Sequence, residues 1–136
     1  MLYIVDKKFV LAALLLVGGA AQAAVLECPI NAPADWKLPK SRLDRARVLS
    51  YLPATRSDER GLAEGLPDRE WQVGGTLYQS WDMKAGRRAM IYQVNCLYTG
   101  TSRFIRFDAR STARCLGKRR VRGDTLLPGS MEFRCR

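Results

Sequence analysis

The stretch IYQVNCLYTGTSRFIRF, residues 91 to 107, decides the fold class, because two runs of alternating side chains flank a short glycine-containing turn. In the first run the apolar residues recur at every second position, at Tyr92, Val94, Cys96 and Tyr98. Successive side chains of a strand point to opposite faces, so this period of two is typical of a half-buried β-strand. Gly100 can adopt the positive dihedral that a tight turn often needs before the second run. The stretch therefore predicts a β-hairpin.

The same period of two recurs in two further stretches of the chain. In GGTLYQSWDM, residues 74–83, one face is predicted to carry Leu77, Trp81 and Met83. In SMEFRC, residues 130–135, the inward side chains are predicted to be Met131, Phe133 and Cys135, and the outward ones Glu132 and Arg134. A short turn in residues 82–87 is expected to join the first of these strands to the hairpin as a meander.

The remaining segments carry weaker signals. LDRARVLSYLP, residues 43–53, alternates and favours a strand, although Ser41 and Asp44 imitate a helix capping box. Residues 26–42 contain three prolines and predict an extended, irregular segment held by Cys28 and Trp36. SDERGLAEGLPD, residues 57–68, supports one or two helical turns at most. The predicted fold class is mainly β: one small antiparallel sheet or sandwich of about five or six strands with one or two short helical turns.

The first 23 residues have the order of a secretory signal peptide. Lys7 and Lys8 precede an apolar run over residues 9–17, and small residues follow up to Ala23. We expect cleavage after Ala23, which leaves residues 24–136 as a single secreted domain. Since no later segment is as long and apolar as a membrane-spanning helix, we expect a periplasmic protein without a transmembrane segment.

An even number of cysteines in an exported chain indicates disulfides, since an oxidising compartment lets them form and persist. The four cysteines are Cys28, Cys96, Cys115 and Cys135, and three pairings are possible. We favour Cys28 with Cys96 and Cys115 with Cys135, because the last two flank what resembles one hairpin. The sequence thus predicts a disulfide-stabilised domain.

The composition excludes most catalytic chemistry. The chain has no histidine, which removes the commonest general base and the commonest metal ligand. Oxidised cysteines would also lack thiolate chemistry and zinc binding, so neither a metal nor a cofactor is expected. A carboxylate pair drawn from Asp82, Asp108 and Glu132 is what remains for a hydrolase. Their spacing singles out no pair, and we do not expect an enzyme.

Basic residues are concentrated in the C-terminal half. Residues 25–83 carry 8 Lys or Arg against 9 Asp or Glu, whereas residues 84–136 carry 13 against 3. Arginine outnumbers lysine there by 11 to 2, and its planar guanidinium binds carboxylates and phosphates in a bidentate manner. The candidate binding residues are Arg103, Arg106, Arg110, Arg114, Arg119, Arg120 and Arg122. Alternatively, the run GKRRVRG lines a sheet edge or a loop, where its charges prevent aggregation.

Three classes of partner could use such a surface. Nucleic acid would supply phosphates and could stack on Tyr92, Tyr98, Phe104 and Phe107, but the export pattern argues against it. Anionic lipid headgroups are the second class, but the basic run lacks an amphipathic helix to insert. An acidic protein surface is the class we favour, and binding of an anionic envelope polymer such as lipopolysaccharide is the alternative function. Trp36, Trp71 and Trp81 could anchor such an interface, although tryptophan in a small domain is more often part of the core.

Several motifs together carry a resemblance. The order ECP, ARVLSYLPAT, LPD, W-x-V, YQVNCLYTGT, ARC and MEFRC resembles a family of small exported four-cysteine periplasmic proteins of Gram-negative bacteria. The function of that family is uncharacterised, and some members are encoded beside type VI secretion clusters. The resemblance implies a single periplasmic β domain that acts as an immunity protein, blocking an incoming effector or toxin that cleaves the cell wall. It brings no catalytic residues.

Overall fold

The computed structural model describes residues 25–52, 62–83, 90–109 and 112–136, so the predicted signal peptide lies outside the described residues. The described part is built from short antiparallel strands and one 3-10 helix, Ala34–Trp36. The strands are β1 (Leu26–Glu27), β2 (Leu43–Tyr51), β3 (Ala63–Glu64), β4 (Arg69–Val73), β5 (Thr76–Asp82), β6 (Ile91–Tyr98), β7 (Phe104–Asp108), β8 (Arg114–Arg122), β9 (Thr125–Leu126) and β10 (Glu132–Cys135). The predicted mainly β class is confirmed.

The strands form two antiparallel sheets. The six-stranded sheet has the order β1-β10-β8-β5-β4, with β9 paired to β8, and the four-stranded sheet has the order β3-β2-β6-β7. The β6–β7 hairpin is confirmed, but the predicted meander is wrong, because β5 and β6 belong to different sheets. Residues 84–89, which hold most of the predicted joining turn, lie outside the described residues.

One hydrophobic cluster joins the inner faces of both sheets. The four-stranded sheet contributes Val48, Val94 and Tyr98, and the six-stranded sheet contributes Trp81 and Phe133. The alternation predicted for residues 130–135 is confirmed, since Phe133 and its inward neighbours are buried while Glu132 and Arg134 are exposed. Each sheet therefore keeps one face on the shared core and turns the other to solvent.

The strand predicted in residues 43–53 is confirmed as β2, with one irregularity. The register with β6 shifts between Leu43 and Arg45, which is the signature of a β-bulge. Because a bulge adds one residue, both Leu43 and Ala46 turn toward the core although they are three positions apart. The bulge thus explains why residues three positions apart in β2 can lie on the same buried face.

The helical turn lies in a different place from the predicted one. Ala34–Trp36 forms the 3-10 helix, and Lys37 ends it with a φ of 56°. Of the predicted helical stretch, residues 57–61 lie outside the described residues, and Ala63–Glu64 is the short strand β3 paired with β2. Pairing with the end of β2 gives this segment the backbone hydrogen bonds that a helix would otherwise supply.

Both favoured disulfides are confirmed. Cys28 joins Cys96 with 5.8 Å between the Cα atoms, and this bond links the segment after β1 to β6 in the other sheet. Cys115 joins Cys135 across β8 and β10 with 4.0 Å between the Cα atoms. The neighbouring Arg114 and Arg136 exchange two backbone hydrogen bonds, so the cysteines form a non-hydrogen-bonded pair, in which strands approach most closely.

Candidate binding surface

The basic run of the sequence lies in the middle of the six-stranded sheet. Strand β8 pairs with β5 on one side and with β10 and β9 on the other. The expectation that GKRRVRG lines a sheet edge or a loop is therefore wrong. The alternation of side chains along β8 turns Cys115 and Gly117 to the core and Arg114, Leu116 and Arg120 to solvent. A central strand thus presents basic side chains on the open face of its sheet.

The registers of the neighbouring strands place further charges beside β8. One cross-strand row runs from Asp82 through Arg114 to Arg136. The next row contains Arg69, Ser80, Leu116 and Arg134. Since residues directly opposite on one face have Cβ atoms about 5 Å apart, four strands bring these side chains onto one continuous surface.

This surface holds a depression of about 400 Å³, which we call the Trp71 depression. It is lined by Asp68, Arg69, Trp71, Ser80, Asp82, Arg114, Leu116, Arg134 and Arg136. Four guanidinium groups thus face two carboxylates across a floor that includes Leu116. The Asp68 carboxylate accepts a hydrogen bond from the Asp82 backbone N–H, which holds both acids at one end of the depression. The arginines leave an excess of positive charge.

Trp71 lines the depression, and Tyr78, which lines an adjoining hollow, packs against it. The rings of Trp71 and Tyr78 are stacked, with centroids 5.4 Å apart and planes 9° from parallel. The Arg69 guanidinium carbon lies 5.5 Å from the Trp71 ring, within the range of a cation–π interaction. Trp71 is 38% exposed because it lies on the solvent side of β4, which pairs only with β5 among the described strands. The preference for a core position is therefore wrong for Trp71, whereas Trp81 is buried.

A second hollow on the same face adjoins the Trp71 depression. Both are lined by Leu116 and Arg134, and the second also has Lys118 and Glu132 at its border. The Lys118 Nζ lies 3.1 Å from the Glu132 Oε2, so the charges of these two side chains cancel. This second hollow therefore adds little net charge to the Trp71 depression beside it.

The predicted arginines do not form one patch. Only Arg114 lines the Trp71 depression, and Arg110 lies outside the described residues. Arg119 turns inward and lies 3.6 Å from Asp44 of β2, with 16% of its side chain exposed, so it links the two sheets. Arg120 and Arg122 lie farther along β8 on the solvent side.

The two remaining predicted arginines lie in or next to β7. The guanidinium carbon of Arg103 is 5.6 Å from the Trp36 ring. Arg106 faces solvent on the four-stranded sheet, where its Nε donates to the Asn95 Oδ1 at 3.2 Å. Of the aromatic residues considered for stacking bases, Phe104 is 43% exposed and Tyr98 is buried in the core. The aromatic series expected for a single-strand binding surface is therefore not presented on one face.

The three carboxylates considered for acid–base chemistry lie on different strands. Asp82 lies opposite Arg114, and Glu132 forms its ion pair with Lys118. Asp108 is at the end of β7 in the other sheet. Across the four described ranges, no three histidine, cysteine, aspartate or glutamate side chains are grouped as metal ligands.

Reasoning from the sequence missed most of the Trp71 depression. Arg69 and Arg136 were not among the candidate residues, and Arg134 was recognised only as an outward side chain. The local signal was present in β4, where R-x-W-x-V places Arg69, Trp71 and Val73 on one face. What local patterns could not supply was the order of the strands, which brings residues from opposite ends of the domain together.

Comparison with protein families, with curated proteins and with solved structures found no match for this chain. Within the described ranges, no helix has the length and apolar character needed to cross a membrane.

Proposed function

We propose that this protein is a non-enzymatic periplasmic binding protein whose Trp71 depression docks on an acidic surface of a protein partner. The observation that carries the proposal is a half-exposed tryptophan that lines one depression together with four arginines on an open sheet face. Tryptophan, tyrosine and arginine are the residue types that contribute most of the binding free energy at protein interfaces. The partner we propose is a cell-wall enzyme or secreted toxin that the protein inhibits.

Charge complementarity supports an acidic partner. Arg114 and Arg136 lie directly opposite each other, and like charges at such positions are unfavourable until a negative group is placed between them. A carboxylate of the partner would relieve this repulsion and form bidentate hydrogen bonds. Asp68 and Asp82 would restrict the orientation in which the partner docks, because the partner must keep its own acidic side chains away from these two carboxylates.

The sequence supports the location and the inhibitor role. The first 23 residues resemble a signal peptide, and disulfides persist in compartments such as the periplasm. The resemblance to periplasmic proteins encoded beside type VI secretion clusters supports an immunity protein. An inhibitor needs no catalytic residues of its own, which agrees with a chain that lacks histidine.

The first test is a pull-down with the oxidised domain at physiological salt. It uses periplasmic extract and a lysate that expresses the neighbouring genes, and mass spectrometry identifies what is retained. We expect one stoichiometric cell-wall enzyme or toxin with an acidic surface. Recovery of lipopolysaccharide alone would contradict the proposal.

Charge reversal then locates the interface. The double variant Arg114→Glu with Arg134→Glu should weaken binding of the recovered partner by at least about tenfold, because each replaces a hydrogen-bonding cation with an acid. The matched control is Arg120→Glu with Arg122→Glu, which makes the same charge change on the same face outside the Trp71 depression. Equal losses in the two double variants, measured by calorimetry, would show that total charge matters rather than this site.

Binding to an anionic envelope polymer such as lipopolysaccharide is the second candidate. It is favoured by exposed arginines that lie outside the Trp71 depression, among them Arg106, Arg120 and Arg122. For such a partner the number of cations matters more than their position, and affinity should fall steeply with added salt. The two double variants would then lose affinity equally.

A further inference from the structure

The four-stranded sheet carries a second polar cluster on its solvent side, separate from the Trp71 depression. Three strands place Arg47, Asn95 and Arg106 directly opposite one another in a single cross-strand row. The Arg106 Nε donates to the Asn95 Oδ1 at 3.2 Å, and the Arg47 Nη2 donates to the Glu64 Oε2 at 3.1 Å. Two guanidinium groups are thereby held on either side of an amide.

The cluster combines buried polar side chains with a donor that has no acceptor. Asn95 and Gln93 belong to the solvent side of β6, yet each is only 6% exposed. Among the described residues, buried nitrogen atoms without a hydrogen-bond partner are the Arg47 Nε and the Gln93 Nε2 on this sheet and the Arg119 Nε of β8. Buried polar groups in folded proteins are almost always paired, because an unpaired one loses its hydration without compensation. Gln93 belongs to the neighbouring row, so the donor of this cluster that lacks an acceptor is the Arg47 Nε.

A hollow of about 310 Å³ lies over this row, at the small end of the range for ligand sites. Apolar side chains line much of it, namely Leu49, Leu62, Leu97 and Phe104. The Arg106 guanidinium carbon lies 5.3 Å from the Phe104 ring, which keeps the cation against this apolar wall. A ligand here would meet hydrogen-bond donors on one side and hydrocarbon on the other.

We infer that this hollow is a binding site for a monocarboxylate carried on an aliphatic chain. The carboxylate lies between the guanidinium groups of Arg47 and Arg106 and supplies the acceptor oxygen that the Arg47 Nε lacks. The chain packs on the leucines and Phe104. Glu64 and Asp108 occupy the same face beside this row and disfavour ligands with additional negative charge. The site is independent of the proposed function.

Two sources offer this chemistry: a free aliphatic acid, and the terminal carboxylate of a peptide that ends in an aliphatic residue. Octanoate probes the first and N-acetyl-alanyl-leucine the second. Octanamide is the neutral control, since it keeps the chain but lacks the charge. Binding of either acid without binding of octanamide supports the site, and the acid that binds identifies the source of the carboxylate.

The experiment is a nuclear magnetic resonance titration of the oxidised, nitrogen-labelled domain with each probe. We expect saturable shifts of the Asn95 side-chain amide and of the Arg106 Nε–H. Arg106→Gln should weaken binding by at least about tenfold, because it removes a charge-assisted hydrogen bond. Arg45→Gln is the matched control, since Arg45 is on the same strand as Arg47 and does not line the hollow.

A further variant separates charge from geometry. Arg106→Lys keeps the charge but loses the planar fork, and it should bind more weakly than the wild type and more tightly than Arg106→Gln. The inference is overturned if neither acid gives saturable shifts, if octanamide binds as well as octanoate, or if Arg45→Gln weakens binding as much as Arg106→Gln.

Discussion

Tyr98 is a buried side chain whose polar end is hydrogen-bonded. Its hydroxyl donates to the Pro29 carbonyl oxygen at 2.7 Å, and its ring meets Trp36 edge to face at 5.6 Å between centroids. These contacts connect β6 to the irregular segment that precedes β2. Burial raises the pKa of Tyr98 to about 12, because the phenolate would lose its hydration.

The raised pKa predicts a loss of stability at alkaline pH. An unfolded tyrosine releases its proton near pH 10, whereas folded Tyr98 keeps its proton up to about pH 12. The stabilisation from neutral Tyr98 is therefore complete below pH 10 and is lost as pH rises from 10 to about 12. Urea unfolding across this range should show the midpoint falling in the wild type.

Two variants test the assignment to Tyr98. In Tyr98→Phe the urea midpoint should fall less between pH 10 and about pH 12. Because the variant lacks the hydrogen bond to Pro29, its unfolding free energy at neutral pH should be about 1 kcal/mol lower. Tyr78→Phe, at a half-buried position on the solvent side of β5, should retain the wild-type fall. An unchanged alkaline fall in Tyr98→Phe would contradict the prediction.

At the scale of elements, the β4–β5 hairpin positions Trp71 in the Trp71 depression. Its two-residue turn, Gly74 and Gly75, separates the paired residues Val73 and Thr76. Gly74 has a φ of 56°, in the left-handed region that a side chain disfavours. The turn thus determines the register that places Trp71 opposite Tyr78.

The hairpin predicts different tolerances at the two glycines. Gly74→Ala should lower the unfolding free energy by about 1 kcal/mol, because alanine is strained at a positive φ. Gly75→Ala should lower the unfolding free energy by less, because Gly75 has no positive φ. Its added Cβ would lie 3.4 Å from the Val121 carbonyl oxygen, which is a van der Waals contact and not a clash. Urea denaturation of both variants measures the difference. Equal losses would show that the φ at Gly74 is not what limits the turn.

At the scale of the whole molecule, the two disulfides have different tasks. Cys28–Cys96 spans 68 residues and links the two sheets, whereas Cys115–Cys135 spans 20 residues and joins neighbouring strands of one sheet. In the chain-entropy model, a longer closed loop restricts the unfolded chain more. The link between the sheets should therefore contribute more to stability.

Paired substitution tests this order. Replacing Cys28 and Cys96 by alanine should lower the unfolding free energy by about 4 kcal/mol, and replacing Cys115 and Cys135 by about 3 kcal/mol. Urea unfolding of both variants under non-reducing conditions gives the comparison, with the fully reduced wild type as the reference for losing both bonds. A larger loss from the Cys115 and Cys135 variant would contradict a loop-length origin.

The site shows the limit of prediction from local patterns. The candidate arginines were chosen because they are close in sequence, yet Arg106, Arg114 and Arg119 lie in three different environments. Adjacent residues of a strand point to opposite faces of the sheet, so side chains that are close in sequence often lie on different surfaces. The residues around Trp71 come instead from four strands between positions 68 and 136.

The mainly β class and the faces of β6 and β10 could be predicted from the sequence, which favoured one of three disulfide pairings without excluding the others. Alternation of side chains follows from the backbone geometry of each strand, which is a local property of the chain. Which strands share a sheet, that β8 and the disulfide-bonded cysteines lie where they do, and which arginines line the Trp71 depression became clear only from the folded chain. Strand order depends on pairing between distant segments and on a shared core, and no local pattern encodes either.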